Sequence, residues 1–158
     1  MKKITLMFLV LSAFVSCKKD SKVNDIVNPS ASFSCYINGN KWTAITRVTK
    51  KENNKFIITG TGSLGKDVLN ITIFGTQAKT YTLSPIDGIT EFSATFTLDT
   101  QTTDSLYQAI SGTVKINSVD TVNKKISGTF QFRTSKIIEP LTIKEITNGE
   151  FSNLTYTE

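Results

Sequence analysis

A strict alternation of apolar and polar residues in the middle of the chain constrains the fold more than any other feature. Between Glu91 and Asp99 every second residue is apolar, and the four apolar residues are Phe92, Ala94, Phe96 and Leu98. A period of two is that of a β-strand with one face toward the core and one toward water. No segment indicates a long helix. We therefore predict an all-β domain in which 91–99 is a half-buried strand.

Shorter segments repeat this pattern between turn signals. Strands are predicted near 41–49, 56–61, 69–73, 81–83, 113–117 and 126–133, after a first one that ends at Ile37. Asn38-Gly39 is typical of a type I′ hairpin turn. Further turns are predicted at Asp87-Gly88, at 120–124 and at Asn148-Gly149. About nine strands with short connections predict a single antiparallel β-sandwich or a lipocalin-like meander barrel, two alternatives that the period does not separate.

A tetrapeptide occurs twice, sixteen residues apart. Ile110-Ser111-Gly112-Thr113 is repeated at 126–129, on either side of the turn predicted at 120–124. A glycine inside a strand indicates a bulge or a close backbone approach. The repeat therefore predicts a hairpin in which both strands are kinked.

The N-terminal segment is typical of an exported lipoprotein. Lys2 and Lys3 precede the 12-residue, mostly apolar stretch 4–15, which is shorter than the roughly 20 residues a membrane-spanning helix needs. Ser16-Cys17 follows at once and resembles a bacterial lipobox, in which the cysteine is lipidated after cleavage. The alternative is an ordinary signal peptide with a chance cysteine. We predict a signal peptide at 1–16, a lipidated Cys17 with a flexible tether over 17–31, and one domain at 32–158.

Composition excludes several kinds of chemistry. The chain has no histidine and two cysteines, which excludes Ser-His-Asp catalysis, imidazole metal sites and four-thiolate zinc sites. The formal charge is +5, but removal of residues 1–16, with two lysines and no acid, leaves 16 basic against 13 acidic residues, or +3. This balance does not favour nucleic-acid binding. We expect no catalytic residue, metal or cofactor; the enzymatic alternative is a hydrolase with two carboxylates facing each other across a cleft.

Aromatic residues are the remaining candidates for a binding site. Trp42, Tyr36 and Tyr107 are predicted to contact a ligand, because their rings combine an apolar body with a polar tip. The alternative for Trp42 is a place in the core, since it shares the parity of Ala44 and Val48. Cys35 is expected to be a buried small hydrophobe, because no histidine is present to activate it.

Three segments together resemble small lipoproteins of Bacteroidota that are assigned to domain families of unknown function. They are the leader MKK…FVSCKKD, the early segment FSCYINGNKWTA, and the late segment KKISGTFQFRT…ITNGEFSNLTY. The resemblance implies a lipid anchor in the outer membrane and a β-rich exported domain, facing either the periplasm or the outside. It implies no chemistry.

The sequence thus favours a lipid-anchored, non-enzymatic binding or interaction module of the cell envelope. Its expected partners are the membrane, through Cys17, and a glycan, a small apolar ligand or another envelope protein. A lipocalin-like carrier of a small apolar ligand is the alternative within the same fold class.

Overall fold

The computed structural model describes residues 30–63 and 65–158. The predicted signal peptide, the predicted lipidation site Cys17 and nearly all of the predicted tether lie outside the described residues. The described part is all-β, as predicted, with two short 3-10 turns at Pro85–Asp87 and Thr103–Ser105. The eleven strands are β1 (Ser32–Ile37), β2 (Asn40–Thr43), β3 (Thr46–Glu52), β4 (Lys55–Thr61), β5 (Val68–Ile73), β6 (Thr80–Ser84), β7 (Ile89–Thr90), β8 (Phe92–Thr97), β9 (Leu106–Asp120), β10 (Lys125–Lys136) and β11 (Ile143–Thr157).

The strands form one continuous sheet of eleven strands, in which β10 pairs with both β9 and β11. We divide this sheet at two short junctions into a larger layer, β2-β1-β11-β10-β9-β6-β7, and a smaller layer, β3-β4-β5-β8. At one side β8 pairs with the first residues of β9, and at the other the end of β11 pairs with β3. The pairing therefore runs around a closed ring. The fold combines the two predicted alternatives, because two facing layers share hydrogen bonds at their corners.

The closing contact at β11 differs from the rest of the sheet. All other pairs are antiparallel, whereas β11 and β3 run parallel and match only Tyr156 with Thr49 and Thr157 with Lys50. The predicted purely antiparallel sheet is therefore incorrect at this one junction. Parallel pairing is geometrically possible because β3 and β11 are far apart in the chain.

The core fills the space between the layers with aromatic and branched side chains. The Phe56 and Tyr156 rings meet across the layers at 5.2 Å between centroids, and Phe92 and Phe132 meet at 6.0 Å. The core residues range from Phe33 to Tyr156. A fragment of residues 20–158 therefore contains every residue of this core.

Most strand and turn predictions are confirmed by burial. Phe92, Ala94 and Phe96 are buried, as are the inward residues of β5 and β10. Asn38 and Gly39 have φ values of 47° and 80°, as a type I′ turn requires. The repeated tetrapeptides lie in β9 and β10, which form a hairpin with two register shifts. A Cβ at Gly128 would lie 2.2 Å from the Lys115 carbonyl oxygen, so the close backbone approach is real.

Three local predictions are wrong, each for a geometric reason. The chain bends at 44–45 between β2 and β3, which reverses the parity, so Val48 is exposed and Thr49 is buried. Leu98 lies beyond the end of β8 and is 45% exposed. Asn148-Gly149 is not a turn between strands but a bulge inside β11, where Asn148 takes a φ of 48°.

None of the helices described in the structure is long and apolar enough to cross a membrane.

Candidate functional site

Four connections gather at one end of the molecule, which we call the cleft end. They are the β1–β2 turn, the β4–β5 loop, the β8–β9 loop and the β10–β11 loop. The Glu145 amide donates to Asn38 Oδ1 at 2.8 Å, and the Thr100 amide donates to the Lys66 carbonyl at 3.0 Å. The Lys136 ammonium lies 3.0 Å from Asp104 and 3.3 Å from Glu139. These bonds fix the connections to one another.

An open cleft of about 470 Å³ lies between these connections, a volume within the range of small-molecule sites. It follows the outer edge of β2, which pairs only with β1 among the described strands. Its apolar residues are Ile37, Trp42, Phe96 and Leu98, and its polar residues are Asn38, Asn40, Lys41, Ser63, Lys66, Asp67 and Lys144.

Trp42 is held at this edge by a hydrogen bond across the cleft. Its indole Nε1 donates to the carboxylate of Asp67 in the β4–β5 loop. The loop is folded so that the Gly62 amide donates to the Asp67 carbonyl at 2.8 Å. A Cβ at Gly62 would overlap the Asp67 carboxylate and lie 2.7 Å from Trp42 Nε1. Glycine is therefore required at this position for the Trp42–Asp67 bond to form.

Trp42 belongs to the core and also lines the cleft. The side chain is 8% exposed, and its ring meets Phe33 edge to face with centroids 5.6 Å apart. It is thus part of the core, while its small exposed part lines the cleft. At this exposure, no open ring face is presented for a sugar to stack on.

Cationic side chains surround the apolar floor. Lys41, Lys66 and Lys144 line the cleft, against Asp67 as its single carboxylate. Lys66 pairs with Asp99 at 3.7 Å, and Asp67 already accepts the indole hydrogen. Lys144 lies over the Tyr107 ring, 4.9 Å from its centroid. Among the described residues, neither the Lys41 nor the Lys144 ammonium has a carboxylate partner.

The other two predicted ligand residues are not on the cleft surface. Tyr107 is 5% exposed and packs behind the cleft, with its ring 6.4 Å from that of Phe96. It supports the floor and positions Lys144. Tyr36 lies on the outer face of β1, opposite in parity to the buried Cys35, and is 39% exposed. The structure brings Trp42 and Tyr107 into one region and leaves Tyr36 outside it.

Cys35, Asp99 and Asp104 are not candidates for catalysis, because of the groups that surround each of them. Burial raises the pKa of the Cys35 thiol to about 12, so it stays protonated at neutral pH. Asp99 lies 3.7 Å from Lys66, and Asp104 lies 3.0 Å from Lys136 at the end of β10. Within the described residues, no group of three or more Asp, Glu, His or Cys side chains is arranged to hold a metal ion.

Sequence analysis missed the charged part of the cleft. Asp67, Lys66 and Lys144 lie in or beside connections, where charged residues are also the usual solvated surface. Asp67 binds Trp42, which lies twenty-five positions away in the chain. No local signal identifies such a pair.

The fold and site define a compact all-β domain with one apolar-floored, lysine-rimmed cleft at the end where four connections meet. Residues 29–155 match the family described as Domain of unknown function (DUF6252), and the chain belongs to that family. No curated protein and no solved structure matches the chain.

Proposed function

We propose that this chain is a lipid-anchored protein of the cell envelope whose β-domain binds a small molecule in the cleft beside Trp42, without catalysing a reaction. The observation that carries the proposal is the cleft itself. It combines an apolar floor with several convergent polar groups, which is the usual composition of a ligand site.

The course of β1 supports this proposal. The strand runs from Ser32 toward the cleft end, where Ile37 lines the cleft. Five residue steps of about 3.3 Å place Ser32 roughly 17 Å from Ile37. A tether from Cys17 would therefore join the domain at the end away from the cleft.

The content of the core also bears on where a ligand would bind. A lipocalin-like carrier holds its ligand inside the barrel, but here Phe130 packs against Phe33, Phe132 and Phe151 in the interior. The carrier alternative therefore applies to the open cleft rather than to the space between the layers. A hydrolase is less favoured, because a carboxylate pair is needed and Asp67 alone lines the cleft.

The anchor is tested by metabolic labelling with a fatty acid in cells that express the full chain. We expect label in the wild type and none in Cys17→Ser, which should move from the membrane to the soluble fraction. Label retained by Cys17→Ser would contradict an anchor at this residue.

Binding is tested through Trp42, the single tryptophan of the chain. A panel of oligosaccharides, fatty acids and fatty alcohols is titrated into residues 20–158 while indole emission and the melting temperature are recorded. A ligand at 100 times its dissociation constant should stabilise the fold by about 2.7 kcal/mol. If no compound changes either readout, the small-molecule proposal fails and a protein partner is the next hypothesis.

A further inference from the structure

We infer that the cleft selects a carboxylate-bearing amphiphile, a molecule with one anionic head and one apolar tail. This inference rests on the proposed function and names the ligand class for the same site. It follows from three features of the cleft: two lysines without a carboxylate partner among the described residues, an aspartate that already binds Trp42, and an apolar floor whose aromatic rings are nearly buried.

The cations come first because they set the charge of the ligand. Three lysines and one aspartate line the cleft. Lys66 is paired with Asp99, which leaves Lys41 and Lys144 as the two ammonium groups without a carboxylate among the described residues. Opposite charges attract strongly where water is partly excluded. An anionic head between Lys41 and Lys144 would supply the carboxylate that the domain itself does not.

The position of Asp67 makes a cationic ligand a poorer fit to the cleft than an anionic one. The carboxylate accepts the Trp42 indole hydrogen, and the backbone on either side is held by the Gly62 amide and by the Thr100 amide. Asp67 is thus bound into the wall of the cleft. A ligand cation would share this single carboxylate with the Trp42 indole while it faced three lysines.

The apolar residues of the cleft floor favour a ligand with a hydrocarbon tail over a sugar. Phe96 is 2% exposed and Trp42 8% exposed, so neither presents an open ring face. Leu98 and Ile37 add aliphatic surface beside them. Such a floor removes water from a flexible hydrocarbon chain, whereas sugar binding by aromatic residues needs an open ring face.

The test compares decanoate with decanol, which share the tail and differ in the charge of the head. Both are titrated into residues 20–158 below their aggregation limits while Trp42 emission is followed. We expect the dissociation constant of decanoate to be at least tenfold lower than that of decanol. The difference should shrink as salt is raised from about 0.05 M to 1 M, because screening weakens exposed ion pairs.

Two double variants locate the charge effect. Lys41→Met with Lys144→Met removes the cations but keeps two unbranched side chains, so decanoate should lose its advantage to within twofold while decanol binds as before. Lys50→Met with Lys115→Met removes the same charge from β3 and from the exposed face of β9, away from the cleft, and should leave the preference intact. Equal loss in both variants would mean a general charge effect and would overturn the inference.

The remaining outcomes separate this inference from the proposed function. If decanol binds as tightly as decanoate, or if only an oligosaccharide perturbs Trp42, the anionic ligand class is wrong and the binding function stands. If neither amphiphile nor any sugar perturbs Trp42 in a domain that melts cooperatively, both fail together.

Discussion

At the scale of single residues, the cleft depends on the bond between Trp42 and Asp67. The indole is nearly buried, and its N–H would otherwise face a poorly hydrated edge of the core. A buried donor without an acceptor costs more than the net gain of an ordinary hydrogen bond. One carboxylate from the β4–β5 loop therefore both satisfies the tryptophan and holds the loop against β2.

Replacing Asp67 tests this role. Asp67→Leu leaves the indole N–H unpaired and should lower the free energy of unfolding by about 1–3 kcal/mol. Asp67→Asn keeps an oxygen acceptor and should cost clearly less. Urea denaturation of both variants, followed by indole emission, measures the difference. A Leu variant as stable as the wild type would show that the bond contributes nothing to the fold.

At the scale of elements, β11 determines how the larger layer curves. Its pairing with β10 shifts register twice, and asparagines with positive φ lie at both shifts, Asn148 at 48° and Asn153 at 50°. Asparagine tolerates this left-handed conformation better than other residues with a side chain. The two bulges bend one continuous strand so that its start reaches the cleft end and its end reaches β3.

The second bulge offers a prediction about conformation. Asn153→Val places a β-branched residue at positive φ and should destabilise the domain by about 1–2 kcal/mol. Asn153→Gly should be close to neutral, because glycine adopts this φ without strain. Thr155→Val, an exposed position on the same strand, is the control and should change stability by less than about 0.5 kcal/mol. Chemical denaturation curves of the three variants measure these differences in the free energy of unfolding. Equal stability of the Val and Gly variants would contradict the prediction.

At the scale of the whole molecule, the end opposite the cleft is closed by the C-terminal residues. Two parallel backbone pairs join β11 to β3, and Glu158 then lies 2.8 Å from Lys51 and 3.4 Å from Lys124. Hydrogen bonds from Lys51 and then Lys124 lower the pKa of the Glu158 carboxyl. The short β11–β3 pairing is thus reinforced by the Glu158 carboxylate, which pairs with Lys51 of β3 and with Lys124 of the β9–β10 turn.

This arrangement predicts an acid-sensitive contribution to stability. Because the folded-state pKa of Glu158 is lowered, the unfolded chain binds more protons near pH 4, and the stabilisation is present above the unfolded pKa. It is lost as pH falls through the folded pKa. Melting temperatures of wild type and Glu158→Gln should differ at pH 7 and converge toward pH 3. A difference that stays constant over this range would argue against the ion pairs.

Much of the fold was determined by the sequence alone, for a local reason. Some features depend only on the hydrophobic period and the backbone preferences of a few neighbouring residues. They are the alternation in 92–97, the Asn38-Gly39 turn and the inward residues of β10. The position of Trp42 near the first turn also identified it as a residue of interest. These features need no knowledge of what packs against them.

Only the tertiary structure decided the remainder. The bend at 44–45 turns Val48 outward and Thr49 into the core. The bulge at Asn148 keeps Asn148-Gly149 inside β11, where the sequence predicted a turn. Both outcomes depend on register, which the neighbouring strands determine. The cleft needed four connections, distant in sequence, to meet at one end. Trp42, Asp67 and Lys144 become one site only when the layers close, since contacts between distant segments leave no periodic signal in the chain.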